Sequence, residues 1–331
     1  MTFNAAPQAI ARTPTFSISI EWENARFAEL DRTRRMLRAL HDQINELTPP
    51  AAPPHVNLLY DPASIDGEMV RDVVEEEFRP SNVAAVTRIT PSPGLRYYQQ
   101  KNFGARQSNF ELTIFIDCDV IPEPGWLAAL IGSFKDPEVA AVAGQTYVEH
   151  RSFYSKAFAL FWFFELKDPD GGLRPTTYFH ANNVAFRSDV FLANPFPDIP
   201  TYRGQCTVLG HRLLERGFGM FVQRSARVAH PVPLTASYFI ARALNNGRDE
   251  VLVSEIVGRS NRTKVRTVYW NLRSGLVGSL RKFRDNRRDI GLSLPAAICA
   301  YGVAATYFLF KAIGELVTLA RPNLIARLFP I

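Results

Sequence analysis

Four short apolar runs, separated by segments of a different period, limit what this chain can fold into more than any other feature. Residues 15–21 (TFSISIE), 56–60 (VNLLY), 83–89 (VAAVTRI) and 112–116 (LTIFI) have the length and residue types of strands. After the first, Phe27, Leu30, Leu37, Leu40 and Ile44 recur at helical spacing, with Asn24 placed to cap that helix. Met69, Val70, Val73, Val74 and Phe78 mark a second helix, and residues 95–110 a third. The βαβαβαβ order predicts a mainly parallel sheet covered by helices on both faces. Downstream, 139–148 and 177–187 are further strand candidates, separated by an aromatic segment at 153–168. A helix is expected from about Thr207 to a C-cap at Gly217, followed by a strand at 219–222.

In an open parallel sheet, ligands collect at the carboxyl ends of the strands. Polar groups stand at three such ends: Glu21, Glu23 and Asn24 after the first, Asp61 after the second, Asp117 and Asp119 after the fourth. Charge at the edge of a sheet core calls for a partner. Residues i and i+2 of a strand share a face, so Asp117 and Asp119 project together and Cys118 points away. Two hard carboxylates side by side suit Mg2+ or Mn2+. Such a cation would hold a diphosphate and neutralise a leaving group. The plainer alternative is an Asp capping a turn.

The three cysteines, Cys118, Cys206 and Cys299, are far apart and odd in number, which fits a reducing, cytosolic setting without a disulfide framework or a cysteine metal site. Residues 1–14 lack the continuous apolar core of a signal peptide and are read as a tail. The net charge of +6 is concentrated at 259–289, where basic residues alternate with Trp, Tyr, Leu and Val. Nucleic acid, anionic lipid or a phosphorylated substrate would each answer to it. From Gly291 to Phe310 no charged residue occurs, a length that spans a bilayer or lies along one. The basic flank before it would keep the main domain in the cytoplasm. The division expected is a tail (1–14), an α/β domain (15–236), a basic amphipathic helical region (237–290) and a hydrophobic membrane-associating segment (291–331).

The order of these features resembles the family 2 glycosyltransferases of the GT-A fold, from about Phe16 to Arg248. The residues that carry the resemblance are SISIEWENARF at 17–27, LLYDPASID at 58–66, QQKNFGARQ at 99–107, IFIDCDVIPEPGWL at 114–127, HANNVAFRSDVF at 180–191 and RVAHPVP at 227–233. The resemblance implies a mostly parallel mixed sheet flanked by helices, and transfer of a sugar from a nucleoside-diphosphate donor with Mn2+ or Mg2+. It implies that Glu21, Glu23, Asn24, Asp61 and Asp66 contact base and ribose, and that Lys101 and Asn102 lie near the base or diphosphate. Asp117 would touch the ribose or metal, Asp119 would bind the metal and His230 would complete its shell. Asn182, Asn183 and Arg187 would face the acceptor, and Arg242 and Arg248 would face phosphates.

One departure stands out. Inverting members carry an acidic pair at the start of a helix, and its Asp deprotonates the acceptor hydroxyl. Here the segment is YRGQCTVLGHRLLERGF, with Gln205 and Cys206 where the acids belong. A helix N-terminus can lower a thiol, and Asp198 is the nearest carboxylate upstream. An acceptor that needs no base, such as a phosphate or carboxylate oxygen, is a further solution. The leading expectation is a membrane-associated glycosyltransferase at the cytoplasmic face of the cell membrane, acting on a glycan or lipid-linked acceptor in cell-envelope synthesis, with no nucleic acid target. A sugar-phosphate nucleotidyltransferase would show a Gly-rich loop after the first strand, whereas this chain has IEWENARF at 20–27. The non-enzymatic alternative is a degenerate domain that binds a nucleotide sugar or a partner at the membrane.

Overall fold

The computed structural model describes residues 13–26, 30–48, 50, 52–78, 85–107, 109–233, 235–258 and 264–330. Phe27, the first two residues of the expected strand at 83–89, most of the N-terminal tail and the start of the basic stretch at 259 lie outside the described residues. The elements are β1 (Phe16–Glu21), α1 (Leu30–Glu46), β2 (His55–Tyr60), α2 (Gly67–Glu77), β3 (Val86–Pro91), α3 (Tyr97–Arg106), β4 (Leu112–Asp117), β5 (Ile121–Pro122) and α4 (Trp126–Gly132). They continue with β6 (Val139–Val148), α5 (Phe153–Phe161), β7 (Leu173–Pro175), β8 (Asn183–Arg187), α6 (Ser188–Ala193), α7 (Gln205–Glu215) and β9 (Gly219–His230). Last come α8 (Ala236–Ile256), α9 (Lys264–Asn286), α10 (Leu294–Ala320) and α11 (Leu324–Leu328).

One mixed sheet runs in the order β3-β2-β1-β4-β8-β6-β9-β5, with β7 on the outside of β9. The first four strands of that path are mutually parallel, and β8 enters antiparallel to both β4 and β6. β1 and β4 are buried along their whole length. Ile18, Ile20, Ile114 and Ile116 face a core with Met36, Leu37 and Leu40 of α1. The opposite face presents Ser17 and Ser19, small enough for α3 to lie directly on the sheet. At Gly104 a Cβ would stand 2.6 Å from both Leu59 Cδ1 and Ser19 Oγ. That close approach lowers the N-terminal turns of α3 onto the carboxyl ends of β1 and β4.

The helix expected from about Thr207 begins two residues earlier, at Gln205, because Gly204 at φ 123° turns the chain into it, and it closes before Gly217 at φ 78°. The aromatic segment becomes α5 and a following turn. Phe158, Phe161 and Trp162 form a second core with Phe239 of α8 and Ala297, Ala300, Ala304 and Tyr307 of α10. α8 and α10 meet backbone to backbone. A Cβ at Gly247 would lie 2.0 Å from the Lys311 carbonyl oxygen, and one at Gly314 2.2 Å from that of Leu244.

Candidate active site

Asp117 closes β4 directly beside Glu21 at the end of β1, in register. Lys101, four residues after Tyr97 and therefore on the same side of α3, reaches Asp117 Oδ1 with Nζ at 2.7 Å. Tyr97 donates its hydroxyl to the same carboxylate at 2.7 Å, and Asn24 Nδ2 donates to Oδ2 at 3.0 Å. Lys101 is fully buried and Asp117 only 3% exposed. Burial alone would raise Asp117, but the Lys101 ammonium, its hydrogen bond and that of Tyr97 hold the carboxyl below its ordinary value. Glu21 takes the opposite course. Burial and the neighbouring Asp117 push it well up, and Asn24 donates to it from both backbone N–H and side chain.

Asp119 is placed differently. It is 7% exposed, and its Oδ1 is buried with no hydrogen-bond partner among the described residues. Burial, then Asp117, raise its carboxyl to about 7. Arg32 of α1 donates Nε to the Asp119 carbonyl at 2.5 Å and Nη2 to the Ala229 carbonyl at 2.7 Å. Ile121 of β5 also pairs with Ala229, so the Asp119 turn and the His230 end of β9 are stitched together twice. His230 donates Nδ1 to the Pro231 carbonyl at 2.5 Å, which makes Nε2 the unprotonated nitrogen. Burial lowers its ring to about 3, so the imidazole is neutral at pH 7. A neutral imidazole and a buried carboxylate oxygen without a donor are a chemically suitable pair for a Mn2+-like cation.

The three-ligand set of Asp117, Asp119 and His230 is not gathered as such: no group of three His, Cys, Asp or Glu side chains close enough for a metal occurs among the described residues. Both oxygens of Asp117 are already engaged by Lys101, Tyr97 and Asn24. Asp119 and His230 are the residues that fit a metal here.

Beyond Tyr97 a cavity of about 260 Å3 opens, lined among others by Glu23, Asn102, Asp198, Arg203, Gln205 and Arg248. The candidates for a base sit in or beside it, and none is poised. Cys206 approaches the Tyr98 hydroxyl at 3.6 Å, and burial pushes its thiol up to about 11. The helix N-terminus therefore does not make it a thiolate; desolvation outweighs it. Gln205 donates to the Thr201 carbonyl at 3.3 Å. Asp198 is largely exposed and pairs with Arg96 at 3.0 Å. The buried carboxylate that sequence reasoning missed, Asp249, accepts from the backbone N–H of Tyr202 and Arg203 and from Arg248, which uses both its oxygens to hold the loop before α7.

Several expected contacts turn out to be architectural. Asn183 is fully buried, accepts from Trp126 Nε1 at 2.8 Å and donates to the Ala226 carbonyl at 3.1 Å, so it faces the core rather than an acceptor. Asn182 accepts from Thr146 at 3.2 Å. Arg187 pairs with Leu112, at the opposite end of β4 from Asp117, and its guanidinium donates to the carbonyls of Phe134, Asp136 and Val139. Because β8 runs antiparallel to β4, its carboxyl end is remote from the site, and Arg187 does not reach an acceptor there. Asn102 spends its amide on the backbone of Phe196 in both directions. Asp61 accepts from the backbone of Ala63 and Asp66 caps α2, both as turn residues. Tyr97 was legible only as the residue one helical turn before Lys101, and Arg203 only as the residue before Gly204. Arg32 carries no local signal at all.

The family whose sequence model is described as Glycosyl transferase family 2 matches residues 85–192, which include Lys101, Asp117 and Asp119. The pre-mycofactocin glycosyltransferases of two Mycobacterium tuberculosis strains are 29% identical over 147 residues. Over residues 85–192 the chain is similar to glycosyltransferase family 2. The match takes in 43% of this chain, and the chain spans only 31% of the length of those curated relatives. In structure, the chain superposes on a mannosyltransferase from Pyrobaculum calidifontis, solved with GDP-Man and Mn2+, with TM-score 0.57 at 16% identity over 96% of this chain and 90% of the other. It also superposes on GalNAc-T7, solved with UDP, GalNAc and Mn2+, with TM-score 0.54 at 13% identity over 97% and 59% of the two chains. The fold is GT-A.

Proposed function

We propose that the protein is a metal-dependent glycosyltransferase that moves a hexose from a nucleoside-diphosphate sugar to a glycan or lipid-linked acceptor at the cytoplasmic face of a membrane. The observation that carries this reading is the buried, unpartnered oxygen of Asp119 and the neutral His230, whose strand end Arg32 and β5 tie to the Asp119 turn, at the carboxyl edge of the sheet. Asp119 and His230 would hold Mn2+ or Mg2+, which supplies charge neutralisation for the departing diphosphate. Lys101, Tyr97 and Asn24 hold Asp117 ionised and in one orientation beside the Asp119 turn. Glu23, on the cavity wall after β1, is placed for the nucleoside.

The membrane part rests on α9 and α10. α10 is 27 residues long and apolar enough to cross a bilayer. One side of it is consumed by packing on α5 and α8, while Leu294, Ile298, Leu309, Ile313 and Leu316 form an exposed stripe. α9 exposes Tyr269 and Trp270, with Arg273 stacked 5.2 Å from the Trp270 ring. An apolar stripe beside aromatic and cationic side chains favours a helix pair that lies in the interface rather than one that spans.

Thermal unfolding with UDP, GDP and their sugar conjugates, with and without Mn2+, tests the proposal. One nucleotide is expected to stabilise the wild type only with metal, and Asp119→Ala to lose that increment. No metal-dependent shift with any donor would overturn it.

A further inference from the structure

Buried guanidinium N–H groups at the site are left without acceptors. Arg203 stacks on Tyr97 at 3.9 Å and Tyr202 at 4.3 Å, and its Nη1 is buried with no partner among the described residues. Arg242, 8% exposed, donates Nη1 to the Tyr202 hydroxyl at 2.7 Å, and its Nε is likewise buried without a partner. Arg248, 7% exposed, lines the cavity with Arg203; its Nη1 pairs with Asp249 and its Nη2 donates to the Pro200 carbonyl, which leaves its Nε unmatched. The acids nearby are already committed: Asp249 pairs with Arg248 and two backbone N–H groups, Asp198 pairs with Arg96 on the rim, and Asp117, whose charge Arg203 feels, is held by Lys101, Tyr97 and Asn24. Glu23, after β1, also lines the cavity. Desolvated guanidinium N–H groups left unmatched are costly. Tyrosine stacking holds the Arg203 fork flat, the geometry suited to a phosphate.

The same cavity lacks a base. Gln205 cannot accept a proton, Cys206 stays a thiol, and the oxygens of Asp249 are spent on the loop. A neutral hydroxyl acceptor would need its proton removed as it attacked, whereas an oxyanion would not.

We propose, building on the transferase reading above, that the acceptor is a phosphate monoester held by Arg203 and Arg248, with Arg242 behind Tyr202, and that its own oxyanion is the nucleophile. The phosphate oxygen forms the bond to the anomeric carbon as the bond from that carbon to the donor diphosphate breaks. The leaving oxygen departs with the electron pair, and no proton changes hands. A monoester carries about −1.5 to −2 at neutral pH, a match for two or three guanidiniums. The product is a glycosyl phosphodiester.

Hexyl phosphate, hexanoate and hexanol serve as probes, each titrated by calorimetry into the full chain already saturated with UDP or GDP and Mn2+. Hexyl phosphate is expected to bind on top of the nucleotide, with hexanoate and hexanol much weaker, and Arg203→Met to weaken it at least about tenfold. If Arg203→Met does not fold, the wild-type competition decides alone. Hexyl phosphate displaced by the nucleotide would assign the arginines to the donor diphosphate and overturn the proposal. So would nucleotide binding with Mn2+ but no hexyl phosphate binding, which leaves the transferase reading standing, and so would hexanoate binding as tightly. Binding of neither nucleotide nor hexyl phosphate would overturn both.

Discussion

Replacing Lys101 by Met leaves the shape of the site nearly intact while removing the cation that pairs directly with Asp117. Lys101 Nζ lies 2.7 Å from Asp117 Oδ1, with both side chains almost wholly out of solvent. At that separation and an effective dielectric near 20, the attraction is about 6 kcal/mol. Desolvation of both ions offsets much of it, so the pair as a whole adds little. Removing one partner is different, because Asp117 is then buried beside the carboxyls of Glu21 and Asp119 with only Tyr97 and Asn24 to serve it. The expected loss for Lys101→Met is about 3–5 kcal/mol of unfolding free energy, and a similar loss for Asp117→Asn, which strands the ammonium. The double variant should lose less than the sum of the two by about 0.5–3 kcal/mol. Urea unfolding at pH 7 followed by tryptophan fluorescence, with four tryptophans in the chain, reads all four species. A Lys101→Met loss below about 1 kcal/mol, or strict additivity, would refute the view that this pair holds the strand ends together.

Three further outcomes are expected. Because the Cys206 thiol is pushed up to about 11, Cys206→Ala should keep turnover within about twofold and leave its pH profile between 5 and 9 unchanged; a tenfold loss with an altered basic limb would restore the thiol as a base. Asn183→Ala should cost about 1–3 kcal/mol in denaturant titration by leaving Trp126 Nε1 and the Ala226 carbonyl unpaired in the core, and unchanged stability would contradict its architectural role. Leu309→Glu combined with Ile313→Glu should abolish flotation with phosphatidylglycerol vesicles while the unfolding curve stays cooperative, since both side chains are exposed; retained flotation would place the membrane contact elsewhere.

The parts of this protein that could be read from the chain are those set by local pattern. Ile18 and Ile20, or Ile114 and Ile116, alternate because a strand does, and the pattern locates the acids that end β1 and β4 without any knowledge of neighbours. Gly204 and Gly217 bracket α7 for a backbone reason that a sequence carries openly. The site was legible as a set of strand ends, but not as a division of labour among them. Asp117 and Asp119 are two residues apart and look equivalent in sequence. The structure makes one an ion held by Lys101 and the other an oxygen with no donor, because α3 covers only the first.

Arg187 and Asn183 mark the other limit. In sequence they belong to one motif with Asn182, but an antiparallel strand carries that motif away from the site, and register is a property of two strands rather than of one. Arg32 joins the carbonyls of Asp119 and Ala229 across separations of 87 and 197 residues, a contact that no local pattern announces. The sequence by itself determined the βα alternation, the acidic strand ends and the apolar C-terminal helix, since each follows from side chains within one turn or one pleat of each other. Only the tertiary structure decided which carboxylate is free, why no base stands at Gln205 and Cys206, and which arginines are left facing a cavity, because burial and pairing are set by what the rest of the chain brings alongside.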